Sequence, residues 1–253
     1  MAFVTVFLFF LQLRIADEFK DFEDDRRYRP YRPVPRGLIT LGELAWLGIL
    51  SLGLQLGFAL WLYPPLVSLL LLVWLYLGLM SQEFFVGTWL KQHPIVYMLS
   101  HMVIMPLINL YATACDWLVQ SSPLPGIGWY LVASFLNGMV IEVGRKIRAP
   151  QDEELGVGTY SALWGIDRAL LVWWSMIGSA GMVSIIAATS EAMKLVMTAL
   201  VLVFGLGTGL LGVAFSRQPT TQRSRSIEAL SGLWVLLLYF ALGLAPQWSI
   251  SRL

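Results

Sequence analysis

Seven mostly apolar runs, at roughly 40–62, 65–80, 94–118, 127–144, 161–182, 194–215 and 227–245, set what this chain can fold into. A bilayer's hydrocarbon core is ~30 Å thick and takes about 20 apolar residues to cross as a helix. With no water there to satisfy backbone N–H and C=O groups, a segment must bond internally, and unbroken runs of this length do so as helices. Residues 1–13 form an eighth apolar segment, too short to cross alone. The expected fold is therefore all-α and integral to the membrane, a single polytopic domain over 1–253 with about eight transmembrane helices. Composition agrees: 57% of residues are hydrophobic and 13% charged, where a soluble domain carries ~25% charged. The start lacks a basic region and runs into acid, unlike a secretory leader. The lone Cys115 excludes an intrachain disulfide, and a net charge of +1 leaves no basic excess for nucleic acid.

Turn residues punctuate the runs at Pro64–Pro65, at Pro123 with Pro125, and along the polar stretch Arg217 to Arg225. Alternating the spans puts loops 14–39, 81–93, 145–160 and 216–226 on one side. That side receives fourteen Lys and Arg residues and the other only Lys194 and Arg252. The positive-inside rule makes the rich side cytoplasmic. Residue 1 then starts outside on a short stub, which suggests either a missing preceding helix or a natural eight-helix arrangement. Within the spans, Asn109, Asp116, Asp167 and Arg168 need partners. Asp116, near an outer end, can reach water. Asp167 and Arg168, read about two turns into the span from 161, should turn at least one side chain to the bundle interior. His101 is read as a packing residue and His93 as a surface residue at a helix start.

Acid gathers directly behind the first apolar segment: Asp17, Glu18, Asp21, Glu23, Asp24 and Asp25. If the helix continues through them, at about 100° per residue Asp17, Asp21, Asp25 and Glu18 share an arc of about 100°, while Glu23 points away. Like charges at i,i+4 destabilise a bare helix. A hard divalent cation would neutralise them, and such cations share their coordination with substrate phosphates. The plainer alternative is a solvated run balanced by Arg26, Arg27 and Arg29. Next comes Arg32-Pro33-Val34-Pro35-Arg36-Gly37, read as an extended proline loop that offers Arg32 or Arg36 to phosphate. Thr40 with Glu43 forms a capping box for the helix that follows.

A second polar cluster shares that side: Asn137, Glu142, Arg145, Lys146, Arg148, Asp152, Glu153, Glu154, then Gly156, Thr159 and Tyr160. Acid for a metal (Glu142, Asp152, with Glu153 or Glu154) mixes with base for a diphosphate (Arg145, Lys146). An ordinary cytoplasmic loop is the competing reading. Lys91, in Trp89-Leu90-Lys91-Gln92-His93-Pro94, is either a further phosphate contact or a topology charge.

Together the clusters carry a resemblance to the UbiA superfamily of intramembrane prenyltransferases, whose first motif is N-D-x-x-D-x-x-x-D followed by R-P-[IVL]-P-x-G. Arg32 to Gly37 match the loop, Asp21 and Asp25 match the two later aspartates, Glu18 replaces the first aspartate, and Asp17 replaces the asparagine. Gly156-Val157-Gly158-Thr159 and Leu163-Trp164-Gly165 match the end of the second motif, with Asp152 in the place of its last aspartate. Its upstream aspartates have no counterpart; Glu142-Val143-Gly144-Arg145-Lys146 stands there instead. Trp89-Leu90-Lys91 weakly resembles the family's middle basic segment.

The resemblance implies a nine-helix bundle, here without its first helix, around a central chamber. It implies Mg²⁺ held by Asp17, Glu18, Asp21, Asp25, Glu142 and Asp152, and a prenyl diphosphate bound by Arg32, Arg36, Lys91, Arg145 and Lys146. Asp21, Asp25, Asp152 and Lys146 would be the catalytic set, at a site facing the cytoplasm, with membrane lipid around it. Metal and cations would offset charge on the departing diphosphate, and an aromatic or alcohol acceptor would capture the allylic cation away from water. The altered second motif keeps a second outcome open, a terpene cyclase in which the prenyl chain's own double bonds attack. Transport through Asp167 and Arg168 is a minor reading, since repeated halves and broken midplane helices are not evident. CDP-alcohol phosphotransfer lacks its Gly and Ala-Arg elements.

Overall fold

The computed structural model describes residues 1–122 and 125–250, with side chains described through residue 243. Pro123 of the expected turn and Arg252 of the charge count lie outside the described residues. Among those described there are helices and no strands. Six helices are long and apolar enough to cross a membrane: Leu41–Leu62, Pro94–Trp117, Ile127–Arg145, Ile166–Ala187, Glu191–Arg217 and Thr221–Gly243. Leu66–Ser81 is a shorter apolar helix. The protein is thus an all-α, multi-pass membrane protein. It divides into two compact units, Met1–Leu124 and Pro125–Leu253.

The first unit contains α1 (Ala2–Lys20), α2 (Phe22–Tyr28), α3 (Leu41–Leu62), α4 (Leu66–Ser81), α5 (Gly87–Gln92), α6 (Pro94–Met102) and α7 (Ile104–Trp117). Its core joins α1, α4 and α7 through Phe9, Leu66, Leu70, Ile108 and Tyr111, with Phe9 edge-on to Tyr111 at 5.5 Å. Inside this apolar packing lies a polar knot. Gln12 Nε2 donates to Ser51 Oγ and to Gln55 Oε1, both at 2.8 Å. Gln55 Nε2 donates to the Thr5 carbonyl at 3.0 Å, and Trp74 Nε1 to Gln55 Oε1 at 2.9 Å. Lipid offers no competing partners, so such bonds lock helices together.

The second unit contains α8 (Ile127–Arg145), α9 (Tyr160–Trp164), α10 (Ile166–Ala187), α11 (Glu191–Arg217) and α12 (Thr221–Ile250). Trp173 and Trp234 fill its centre. Trp173 Nε1 donates to Ser231 Oγ at 2.9 Å, and Trp234 Nε1 to Asn137 Oδ1 at 3.1 Å. Both indoles thereby bury their rings without stranding the N–H. Gly144 allows this approach, because a Cβ there would stand 2.0 Å from Ser231 Oγ.

The span expected over 94–118 is present as Pro94–Trp117, with a turn at Val103 that keeps helical dihedrals (φ −61°, ψ −23°); Pro106 lacks the N–H that Met102 would accept there. Three expectations need correction. The helix begun by residues 1–13 continues into the acidic run as expected, but only to Lys20: Asp21 (φ −92°, ψ 3°) ends it before α2, so the four carboxylates do not share one helix. The span expected over 161–182 instead splits at Gly165 (φ 81°) and resumes over Ile166–Ala187. Asp167 and Arg168 therefore sit in the first turn of α10, and both are exposed rather than turned inward. Finally, the proline loop is folded, not extended. Leu38 N–H donates to the Pro33 carbonyl and Gly37 N–H to that of Val34, the paired bonds of a Schellman closure, with Gly37 (φ 75°) in the left-handed conformation it requires. The capping box is present: Thr40 Oγ1 accepts from Glu43 N at 3.2 Å, and Thr40 N donates to Glu43 Oε2 at 2.7 Å.

Candidate functional site

In the first unit the folded loop aims Arg32 at the acidic cluster. Val34 is buried against Ile15 and Leu44, pinning the loop between α1 and α3. Arg32 Nη1 then lies 2.6 Å from Asp25 Oδ2, and its Nη2 lies 3.7 Å from Glu18 Oε1. Arg29 pairs with Asp25 at 2.5 Å, and Arg14 pairs with Glu18. Glu18 and Asp25 are buried, Asp21 is half-buried, and Asp17 and Glu23 are exposed. The run is only partly the solvated surface balanced by Arg26, Arg27 and Arg29: Asp17, Glu23, Asp24, Arg26 and Arg27 are exposed, whereas Arg29 pairs with buried Asp25. Burial pushes the Asp21 carboxyl above the usual range. Neighbouring Asp25 adds to the rise, and Lys20, Arg29 and Arg32 oppose it.

The residue before Asp21 has an anchor that the sequence does not advertise. Lys20 Nζ lies 2.9 Å from Glu83 Oε1 and donates to Tyr97 Oη at 2.5 Å. Burial alone would lower the Lys20 pKa, but these partners outweigh it and hold it above the ordinary value. Glu83, Phe84 and Phe85 all have positive φ, near 47–60°, a costly conformation for non-glycine residues. Gly87 fits because a Cβ there would stand 2.2 Å from Glu83 Oε2. Spacings of 63 and 77 positions leave no local pattern by which Glu83 and Tyr97 are visible in the sequence. Lys91 and Arg36 are exposed. His93, also exposed, stacks on Trp89 at 4.4 Å, and His101 is buried against Tyr97, a packing role as expected.

In the second unit Glu142 is buried near the end of α8 and clasped by two cations. Arg145 reaches its Oε2 from Nη2 at 2.6 Å and from Nε at 2.8 Å, and Lys146 reaches Oε1 at 2.6 Å. Asp152 Oδ1 accepts from Thr221 Oγ1 at 2.9 Å. Glu153 accepts from Thr159 Oγ1 at 2.6 Å and Ser161 Oγ at 2.7 Å, which ties the loop to the start of α9. Asn137 does not join this cluster; it is buried in α8 under Trp234.

Among the described residues no three His, Cys, Asp or Glu side chains converge into a ready-made metal cage. The donors still suit a hard cation, since all six candidates are carboxylates. Asp152 Oδ2 is buried with no hydrogen-bond partner among the described residues, an acceptor with spare capacity.

Comparison with protein families matches the UbiA prenyltransferase family over residues 1–236. Comparisons with curated proteins and with solved structures give no match.

Proposed function

The chain belongs to the UbiA prenyltransferase family, and on that premise we propose that it transfers a prenyl group from an isoprenoid diphosphate to an aromatic or alcohol acceptor, with Mg²⁺, at a site opening to the cytoplasm. The observation that carries this reading is the pairing of buried Glu18 and Asp25 with Arg32 of the proline loop. An acidic cluster cross-linked by guanidinium groups holds its charge in place at a membrane surface, where it would otherwise be expelled. In this reading Asp17, Glu18, Asp21, Asp25, Glu142 and Asp152 would hold Mg²⁺, which supplies Lewis-acid neutralisation of the leaving diphosphate. Arg32, Arg36, Lys91, Arg145 and Lys146 bind the diphosphate oxygens, and the apolar helices exclude water from the developing cation.

The departure at Glu142-Val143-Gly144-Arg145-Lys146 favours a second reading, cyclisation without an acceptor. A carboxylate already matched by two cations differs from a row of free aspartates. The test is to incubate purified protein with geranyl, farnesyl and geranylgeranyl diphosphates, with Mg²⁺ or with chelator, with and without aromatic acceptors. Acceptor-dependent pyrophosphate release supports transfer. Hydrocarbon or terpene alcohol formed without acceptor supports cyclisation. No release under any condition defeats both.

A further inference from the structure

A second feature lies within the second unit, lined by α10, α11 and the start of α12 and by none of the residues assigned above. Helices α10 and α11 touch where a Cβ on Gly212 would stand 2.3 Å from the Trp174 ring, and Trp174 Nε1 donates to the Thr208 carbonyl at 3.1 Å. Elsewhere along the same helices a Cβ on Gly178, Gly205 or Gly209 would meet nothing within 4 Å. The result is an open trough of about 860 Å³, inside the range of ~300–1,000 Å³ typical of ligand sites.

Its chemistry is polarised. Along its length the walls are apolar, including Ile177, Leu206 and Val213. At one end stand Arg217, Gln218 and Arg223, and no carboxylate lines it. From Gly205 to Arg217, twelve helical residues span roughly 18 Å, comparable with the ~15 Å half-thickness of a hydrocarbon core. Arg223 is held in place by Nη1, which donates to the Ala214 carbonyl at 2.8 Å and to that of Gln218 at 2.7 Å. Arg217, the last residue of α11, is exposed.

We infer that this trough binds an anionic phospholipid, with one acyl chain along Gly178, Gly205 and Gly209 and the phosphate at Arg217 and Arg223. A long apolar channel ending in guanidinium groups complements a molecule with a tail of one leaflet's depth and a phosphate head. Anionic lipids also concentrate at the leaflet beside basic loops. The inference does not depend on the reaction proposed above.

The experiment uses the full chain in nanodiscs of phosphatidylglycerol or of phosphatidylcholine, followed by native mass spectrometry after detergent release. Gly209→Leu places a side chain in the trough at a position where an added Cβ meets nothing within 4 Å, and Arg217→Gln removes an exposed cation. Phosphatidylglycerol should remain bound to the natural chain and raise its melting temperature above that in phosphatidylcholine. Arg217→Gln should weaken retention about tenfold, the value of one charge-assisted hydrogen bond, and Gly209→Leu should abolish it while melting normally. Equal behaviour in the two lipids, retention of the adduct by Gly209→Leu, or displacement of the lipid by geranylgeranyl diphosphate alone would overturn the assignment.

Discussion

Arg32 spans two buried carboxylates, standing 2.6 Å from Asp25 and 3.7 Å from Glu18. Because Val34 and the Gly37 closure position Arg32, the conformation of the proline loop and the charge state of the acidic cluster are one problem. The pairing also separates the roles of the neighbouring aspartates.

Asp25→Ala strips Arg29 and Arg32 of their shared partner. Loss of one member of a buried pair costs about 3–5 kcal/mol, so this variant should both melt early and lose activity. Asp21→Ala should fold normally yet lower magnesium-dependent pyrophosphate release by about 10²–10³-fold, the usual cost of removing one electrostatic contributor. Full turnover by Asp21→Ala would remove it from the site.

Asp21 also predicts a pH dependence. Its carboxyl titrates above the ordinary range because burial disfavours the charge. The folded state therefore binds this proton more tightly than the unfolded chain does. Ionised Asp21 destabilises the fold above its raised pKa, and the penalty is absent below the unfolded value of ~3.9. Asp21→Asn should raise the melting temperature at neutral pH, with a gain that shrinks on acidification through that window. A gain that grows at low pH has the wrong sign for this explanation.

Lys146 stands 2.6 Å from Glu142 at the polar end of α8. Lys146→Ala should raise KM for the prenyl diphosphate about tenfold, as expected for one lost charge-assisted contact, with kcat little changed. Steady-state kinetics at saturating Mg²⁺ checks this; an unchanged KM argues for a purely structural ammonium.

The polar knot in the first unit should matter for stability alone. Gln55→Ala removes bonds to Gln12, Thr5 and Trp74 and should cost about 1–3 kcal/mol from the stranded groups. Thermal unfolding in detergent measures it, and a neutral result would mean that these groups find other partners.

Much of this architecture could be read directly from residue order. Apolar length located the helices to within a few residues, from Leu41–Leu62 to Ile127–Arg145, and Thr40 with Glu43 announced a capping box that is present. The errors fell where backbone geometry turns on single residues. Gly165 divides one span, and Gly37 closes a loop that prolines alone suggest is extended. Asp167 and Arg168 were misplaced for that reason, since the helix holding them starts later than its apolar run.

What residue order settled about this protein is its helical, membrane-embedded character, the position of its acidic and basic runs, and its family motifs. These follow from local rules, because a backbone in lipid must bond within its own segment. Which carboxylates are buried, and which cation each one meets, came only from the folded chain. Lys20 with Glu83 and Tyr97, Arg32 with Glu18, and Trp173 with Ser231 are partners brought together by packing between separate segments. The energy of such contacts depends on burial and distance, and neither has a period along the chain.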